Sequence, residues 1–181
     1  DFREARVMNA ETLLELIRTR RSIRQFGERR PDRGQIEQLV TAACWAPSNH
    51  NRQGWKFLVF DRSEVIRELA EQVRAAVRAA TATSGRRVAD QAEEIVHHAG
   101  LFEHAPVVIL AMHKRSVALG RELLEQAGST LVSGEALSTA MAVQNLCLAA
   151  HAVGLGTCVM TAPLLAGEVW RQMPDLPAGF E

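Results

Sequence analysis

The sequence predicts an α+β fold. Three observations carry that prediction: several stretches place apolar residues at helical spacing, a few short runs are rich in β-formers, and strands and helices do not alternate regularly as they do in parallel sheets. The length of 181 residues suits one domain spanning residues 1–181 and is sufficient to bury a core. With 47% hydrophobic and 23% charged residues, the composition is that of a globular chain and excludes disorder or a fibrous repeat.

Asn9 is predicted to cap a first helix carrying Leu13, Leu16, Ile17 and Arg20. Asp32 caps a second, whose Ile36, Leu39, Val40 and Ala43 form an i, i+3, i+4, i+7 stripe, and Pro47 stops it because the residue before proline avoids helical dihedrals. The run from Trp55 to Phe60 reads as a strand between Gly54 and Asp61. Ile66, Leu69, Val73, Ala76 and Val77 mark one face of a third helix, and residues 81–87 read as a loop. A polar helix is expected around 88–99, then a buried strand from Val107 to Met112. From Ser133 to Ala152 the pattern is apolar nearly all round, which predicts a helix that is central or at a subunit interface. Gly154 and Gly156 end it, a short strand is expected from Thr157 to Met160, and a last helix from Pro163 to Met173. So few strands leave uncovered edges, which points to a second subunit or to a further terminal strand.

Several function classes are disfavoured at once. Lys+Arg and Asp+Glu are both 21, so the basic excess of a nucleic-acid binder is missing. Cys44, Cys147 and Cys158 are odd in number and widely spaced, which suggests neither a disulfide framework nor a zinc site. No apolar run would span a bilayer and no charged-then-apolar leader precedes the first helix, so a reducing, cytoplasmic setting without membrane or nucleic-acid partners is expected. The first residue is Asp1 rather than Met, as in a sequence trimmed at its end.

Three segments could carry chemistry. Arg20-Arg21-Ser22-Ile23-Arg24 follows a helix, and brief alternation puts Ser22 and Arg24 on one side of an extended stretch. Guanidinium forks and a hydroxyl suit a phosphate, although a cationic helix C-terminus explains the same residues plainly. The segment from Ala46 to Trp55 holds Pro47, Ser48, Asn49, Asn51 and Gln53. Its amides and hydroxyl offer donors and acceptors that match a ring with alternating carbonyl and imide groups, and they are also the residues turns prefer. The segment from Gly154 to Pro163 could bring backbone amides close to a planar ligand, or simply link a helix cap to a strand. It is not a GxGxxG fingerprint, and no GK[ST] phosphate loop occurs.

Taken together, RRSIRxF, then APSxxNxQxWxF, then a buried Gln-Asn-Leu helix ending in GLGT resemble the FMN-dependent nitroreductase family over about residues 10–173. The resemblance implies an α+β fold with a central, mostly antiparallel sheet surrounded by helices, in an intertwined homodimer that binds two FMN molecules at its subunit interface. Arg20, Arg21 and Ser22 would then hold the phosphate and ribityl chain, and Arg24 would lie beside the N1/O2 edge of the isoalloxazine. Pro47, Ser48, Asn49, Asn51 and Gln53 correspond to the block that the partner subunit contributes. Thr161 stands where a backbone N–H faces flavin N5, with Met160 and Ala162 along the ring. The implied activity is transfer of hydride from NADH or NADPH through the flavin to a small acceptor such as a nitroaromatic or a quinone. A specialised relative (deiodinase, flavin-cleaving synthase or azoline oxidase) and a flavin-binding protein without turnover are the alternatives.

Two departures from the family pattern stand out. Gly54 occupies the place where the family usually has proline before the tryptophan, and the chain stops at Glu181, before the usual C-terminal strand and late basic residue. His97, His98, His104 and His113 lack the i, i+4 pairing that metal sites favour and read as solvated or lid residues within or near 81–104. Trp45, Trp55 and Trp170 read as packing residues.

Overall fold

The computed structural model describes residues 9–114, 126, 133–174 and 176–180. Asn9 accepts a hydrogen bond from the backbone N–H of Glu11 and opens α1 (Ala10–Thr19). Asp32 and Gln35 form a reciprocal capping box at the start of α2 (Arg33–Cys44), satisfying two of the amide groups that a helix start leaves unpaired. After a 3-10 turn at Asn49–Asn51 come β1 (Trp55–Phe60), α3 (Ser63–Ala82), α4 (Arg86–Ala89), α5 (Ala92–Gly100) and a second 3-10 turn at Leu101–His104. The strand β2 (Val108–His113) follows, then α6 (Gly134–Ala152), a 3-10 stretch at Ala162–Ala166 and α7 (Gly167–Arg171).

The two strands pair antiparallel, with Trp55 opposite His113 and Phe60 opposite Val108. At the end of β2 the Lys114 N–H donates to the Gly54 carbonyl, and Lys114 also bridges antiparallel to Phe180. The ammonium of Lys56 lies over the Phe180 ring at 4.9 Å.

The expected strand from Thr157 to Met160 does not form among the described residues: only Thr157 pairs, in a single parallel bridge to Ser22. A strand exists only as half of a ladder, and the β-rich composition of residues 157–160 cannot supply the neighbour. The region 81–104 is likewise more helical than predicted. Thr81 and Ala82 complete α3, and α4 occupies residues assigned to the loop and to the start of the polar helix.

Two buried clusters sit on either side of the strand pair. One is built on the stripe Ile66, Leu69, Ala70, Val73 and Val77 of α3, which meets Val96, Ala99 and Phe102 and, from the C-terminal part, Ala166 and Trp170. Trp170 donates its indole N–H to the Pro163 carbonyl at 2.7 Å, so a buried donor is satisfied and the 3-10 stretch is tied to α7. The other joins Leu39, Ala43 and Ala46 to Trp55 and to Ala142, Leu146 and Ala150 of α6. The Asn145 side-chain amide donates to the Ala42 carbonyl at 3.3 Å and fixes α6 against α2. Ile66 is fully buried at the centre of the first cluster. Ile66→Ala should therefore lower unfolding free energy by about 2–5 kcal/mol, read as a lower urea midpoint at unchanged slope.

Candidate functional site

The first and third sequence segments meet. The Ile23 N–H donates to the Thr157 carbonyl at 2.9 Å beside the Ser22–Thr157 bridge. This contact depends on two glycines. Gly154, with φ 76°, makes the left-handed turn that ends α6, a conformation that a side chain disfavours. At Gly156 a Cβ would stand 3.0 Å from Cβ and Cγ1 of Ile23, so a side chain there would require Ile23 to give way by a few tenths of an ångström. The Thr19 hydroxyl lies 2.9 Å from Nε2 of His151, which ties the end of α1 to the last turn of α6.

The cations of this junction are largely uncommitted. Arg21 donates to the carbonyls of Arg18 and Arg20. Among the described residues the guanidinium groups of Arg20 and Arg24 have no hydrogen-bond or ion-pair partner. Free forks beside a hydroxyl, at the carbonyl end of a helix, make a donor set suited to a phosphate or another anionic oxygen.

The second segment is a tight loop. His50, Asn51 and Gln53 all adopt positive φ, at 51°, 52° and 48°. Non-glycine residues enter this region at a cost, and three within four positions indicate a loop held in place by its surroundings. The holding contacts are visible. Ser48 accepts the Asn51 N–H on its carbonyl and the Gln53 N–H on its hydroxyl. The buried Ser138 hydroxyl of α6 accepts the Asn49 N–H at 3.0 Å and donates to the Gly134 carbonyl at 2.6 Å. Among the described residues the side-chain amides of Asn49, Asn51 and Gln53 have no hydrogen-bond partner, so their donors and acceptors remain available. Ser138 is the contributor that sequence reasoning missed. Its signal in the sequence was a hydroxyl in the first turns of a largely apolar helix.

The second segment is not brought to the other two within one chain. It is anchored through Ser138 in the first turns of α6, whereas the first and third segments meet at its last turn, near His151. The 13-position step from Ser138 to His151 corresponds to about 20 Å along a helix axis. Between these ends α6 exposes an apolar face: Leu137 is 54% exposed and Met141 41%. The amphipathic α1 buries none of its residues, with Leu13, Leu14 and Ile17 open to solvent. Trp45 is 83% exposed, which corrects its reading as a packing residue within the chain, while Trp55 and Trp170 are buried as expected. Leu137 and Met141 share one face of α6, and exposed apolar side chains grouped on one face are the kind of surface that interaction sites use.

Thr161 and Ala162 line an open cavity of about 490 Å³ together with Gln91, which precedes α5, and Glu94, Ile95 and His98 of α5. The segment 81–104 thus reaches the third segment. A second cavity, of about 530 Å³, lies between the end of β1, α3 and the C-terminal residues and touches none of the three segments. No group of three or more His, Cys, Asp or Glu side chains suited to a metal occurs among the described residues.

Together these features define a helix-rich α+β protein with a polar cation-bearing junction, a strained amide loop and an uncovered apolar face. The chain belongs to the nitroreductase family: the description "Nitroreductase family" matches residues 17–180. Among curated proteins it is 28% identical over 145 residues to a candidate NADH dehydrogenase/NAD(P)H nitroreductase of Methanothermobacter thermautotrophicus, covering 80% of this chain and 58% of that protein. The chain thus spans little more than half the length of that relative. It is 28% identical over 169 residues to the 5,6-dimethylbenzimidazole synthase of Rhodobacter capsulatus, covering 91% of this chain and 78% of the synthase. Among solved structures, the FMN-bound nitroreductase of Bacteroides fragilis superposes with a TM-score of 0.69 at 20% identity, covering 93% of this chain and 82% of that one. That likeness establishes the nitroreductase-like fold.

Proposed function

We propose that this chain is an FMN-dependent oxidoreductase that works as a homodimer, taking electrons from NADH or NADPH and passing them to a small acceptor such as a nitroaromatic or a quinone. The observation that carries the reading is the junction of Ser22 with Thr157, because it joins the cation-bearing segment to the segment that resembles the family's N5 contact. The fit to FMN rests on the donor set. Arg20, Arg21 and Ser22 are assigned the phosphate and ribityl chain, and Arg24 the N1/O2 edge. Thr161 is assigned N5 through its backbone N–H, with Met160 and Ala162 against the ring. The loop residues Pro47, Ser48, Asn49, Asn51 and Gln53 are assigned to the flavin of the partner copy, since within their own chain they stand at the far end of α6.

Bound FMN would supply the hydride chemistry, accepting from the nicotinamide and donating to the acceptor in turn. The protein's part is electrostatic and positional. A guanidinium at Arg24 would place positive charge where negative charge develops on two-electron reduction of a bound flavin, and a preset donor of this kind lowers a barrier without reorganising. The left-handed loop holds amide groups ready without a folding cost at binding. Two copies packed through α1, Trp45 and the exposed face of α6 would remove apolar surface from water and bring each loop to the other chain's junction.

The unpaired thiols Cys44, Cys147 and Cys158 accord with a reducing, cytoplasmic setting, which forms part of the proposal. No helix among the described residues is long and apolar enough to cross a membrane.

The test is anaerobic. Protein loaded with FMN should be yellow, bleach on addition of NADH or NADPH, and regain colour with a nitroaromatic or quinone. Colour that persists with both nicotinamides would replace this reading by that of a flavin-binding protein without turnover. Bleaching with recovery only by an iodinated phenol, or with loss of the flavin itself, would move it to a deiodinase or a flavin-cleaving synthase. A structural variant tests the junction separately. Gly156→Val should weaken FMN binding at least tenfold by fluorescence titration, about 1.4 kcal/mol, and Ile23→Ala in the same chain should restore part of the loss.

A further inference from the structure

The cavity beside Thr161 has a chemically one-sided wall. Glu93 and Glu94 are consecutive in α5, but they differ in what they face. Glu93 pairs with Arg78 at 3.5 Å, whereas Glu94 has no ion-pair partner among the described residues and lines the cavity. One turn further on, Nδ1 of His98 lies 2.8 Å from the Glu94 carbonyl oxygen. A carbonyl can only accept, so Nδ1 carries the proton, and in the neutral ring Nε2 is left as an acceptor. Glu94 and His98, four residues apart on one helix face, thus both line the cavity, with Gln91 adjoining. Ile95, Ala162 and Leu165 supply the apolar part of the lining. A charged lining residue in the first turn of α5 also suits the helix dipole, but that role needs no cavity and no acceptor at His98.

We infer that this cavity is the acceptor compartment and that Glu94 and His98 select aromatic molecules bearing a cationic or hydrogen-bond-donating substituent over those bearing a carboxylate. The inference rests on the functional reading above, because it takes the Thr161 side of the cavity as the side where the flavin lies. An unpaired carboxylate at Glu94 attracts an ammonium and repels an anion, and an imidazole acceptor at His98 would take a hydrogen bond from a hydroxyl, so discrimination comes from both attraction and repulsion. The apolar lining accommodates the ring and the polar wall sets its orientation.

The experiment uses FMN-loaded full chain and two readouts. Calorimetric titration with benzylammonium and with benzoate measures equilibrium binding without turnover. Steady-state reduction of 4-nitrobenzylamine and 4-nitrobenzoate measures KM against kcat. Benzylammonium should bind about tenfold more tightly than benzoate, with the preference appearing in KM rather than kcat. Glu94→Gln should erase most of it, and Glu94→Lys should reverse it. His98→Phe, which keeps a ring but removes the Nε2 acceptor, should weaken a phenol without affecting an anisole. Both side chains are exposed, so these variants should fold. Equal binding of the two probes by the parent, or a preference unchanged in Glu94→Gln, overturns the inference while leaving the yellow, reducible protein intact. Failure to take up FMN at all overturns the functional reading instead.

Discussion

Arg24→Ala is expected to slow bleaching of the bound flavin by NADH or NADPH roughly a hundredfold, the usual scale for removing one preset charge-stabilising donor. The same change should shift stability by no more than about 0.5 kcal/mol, because Arg24 is exposed and among the described residues its guanidinium touches no partner. The combination is diagnostic. A residue that supports the fold would lower the urea midpoint and the rate together, whereas a residue acting on developing charge moves the rate and the flavin potential alone. Arg24→Lys should restore part of the rate, since an ammonium keeps the charge but not the planar fork. Stopped-flow reduction and denaturant titration on the same preparations decide it, and equal rates in variant and parent would remove Arg24 from its assigned role.

The second large effect concerns the proposed subunit interface. Leu137 and Met141 are i, i+4 neighbours on the exposed face of α6, so one face of one helix bears both. Leu137→Asp combined with Met141→Asp should convert the dimer to monomer, because two carboxylates per chain would have to be buried unpaired. Helical content by circular dichroism should stay near that of the parent, since neither side chain contributes to the buried clusters. FMN binding should be lost with the dimer, given that the amide loop and the cation junction lie at opposite ends of α6. A double variant that sediments as a dimer, or a monomer that retains flavin at parental affinity, would contradict the shared-site geometry.

The four longest helices were legible because local rules agree with tertiary packing there, whereas the single helix expected from Pro163 to Met173 is a 3-10 stretch followed by the short α7. The Asn9 and Asp32 caps, the stripe from Ile66 to Val77 and the apolar run from Ser133 to Ala152 each fall where the structure has them. The strands β1 and β2 were found to within a residue for the same reason. Thr157 to Met160 failed because strand identity depends on a neighbour, and composition carries no information about one. Trp45 failed for a related reason. Its apolar character signalled burial, but within one chain it lies open, and apolar character does not distinguish a core position from an exposed one. The site segments stood out by motif and resemblance, yet their separation along α6 could not be read from the motifs alone. It follows from the Asn49–Ser138 and Thr19–His151 contacts, which join residues 89 and 132 positions apart.

Native mass measurement after reconstitution with excess FMN decides whether two copies hold the flavin jointly. A homodimer carrying two FMN molecules is expected, with no flavin on any monomer present. A colourless protein, or a monomer that binds one FMN by itself, would contradict it.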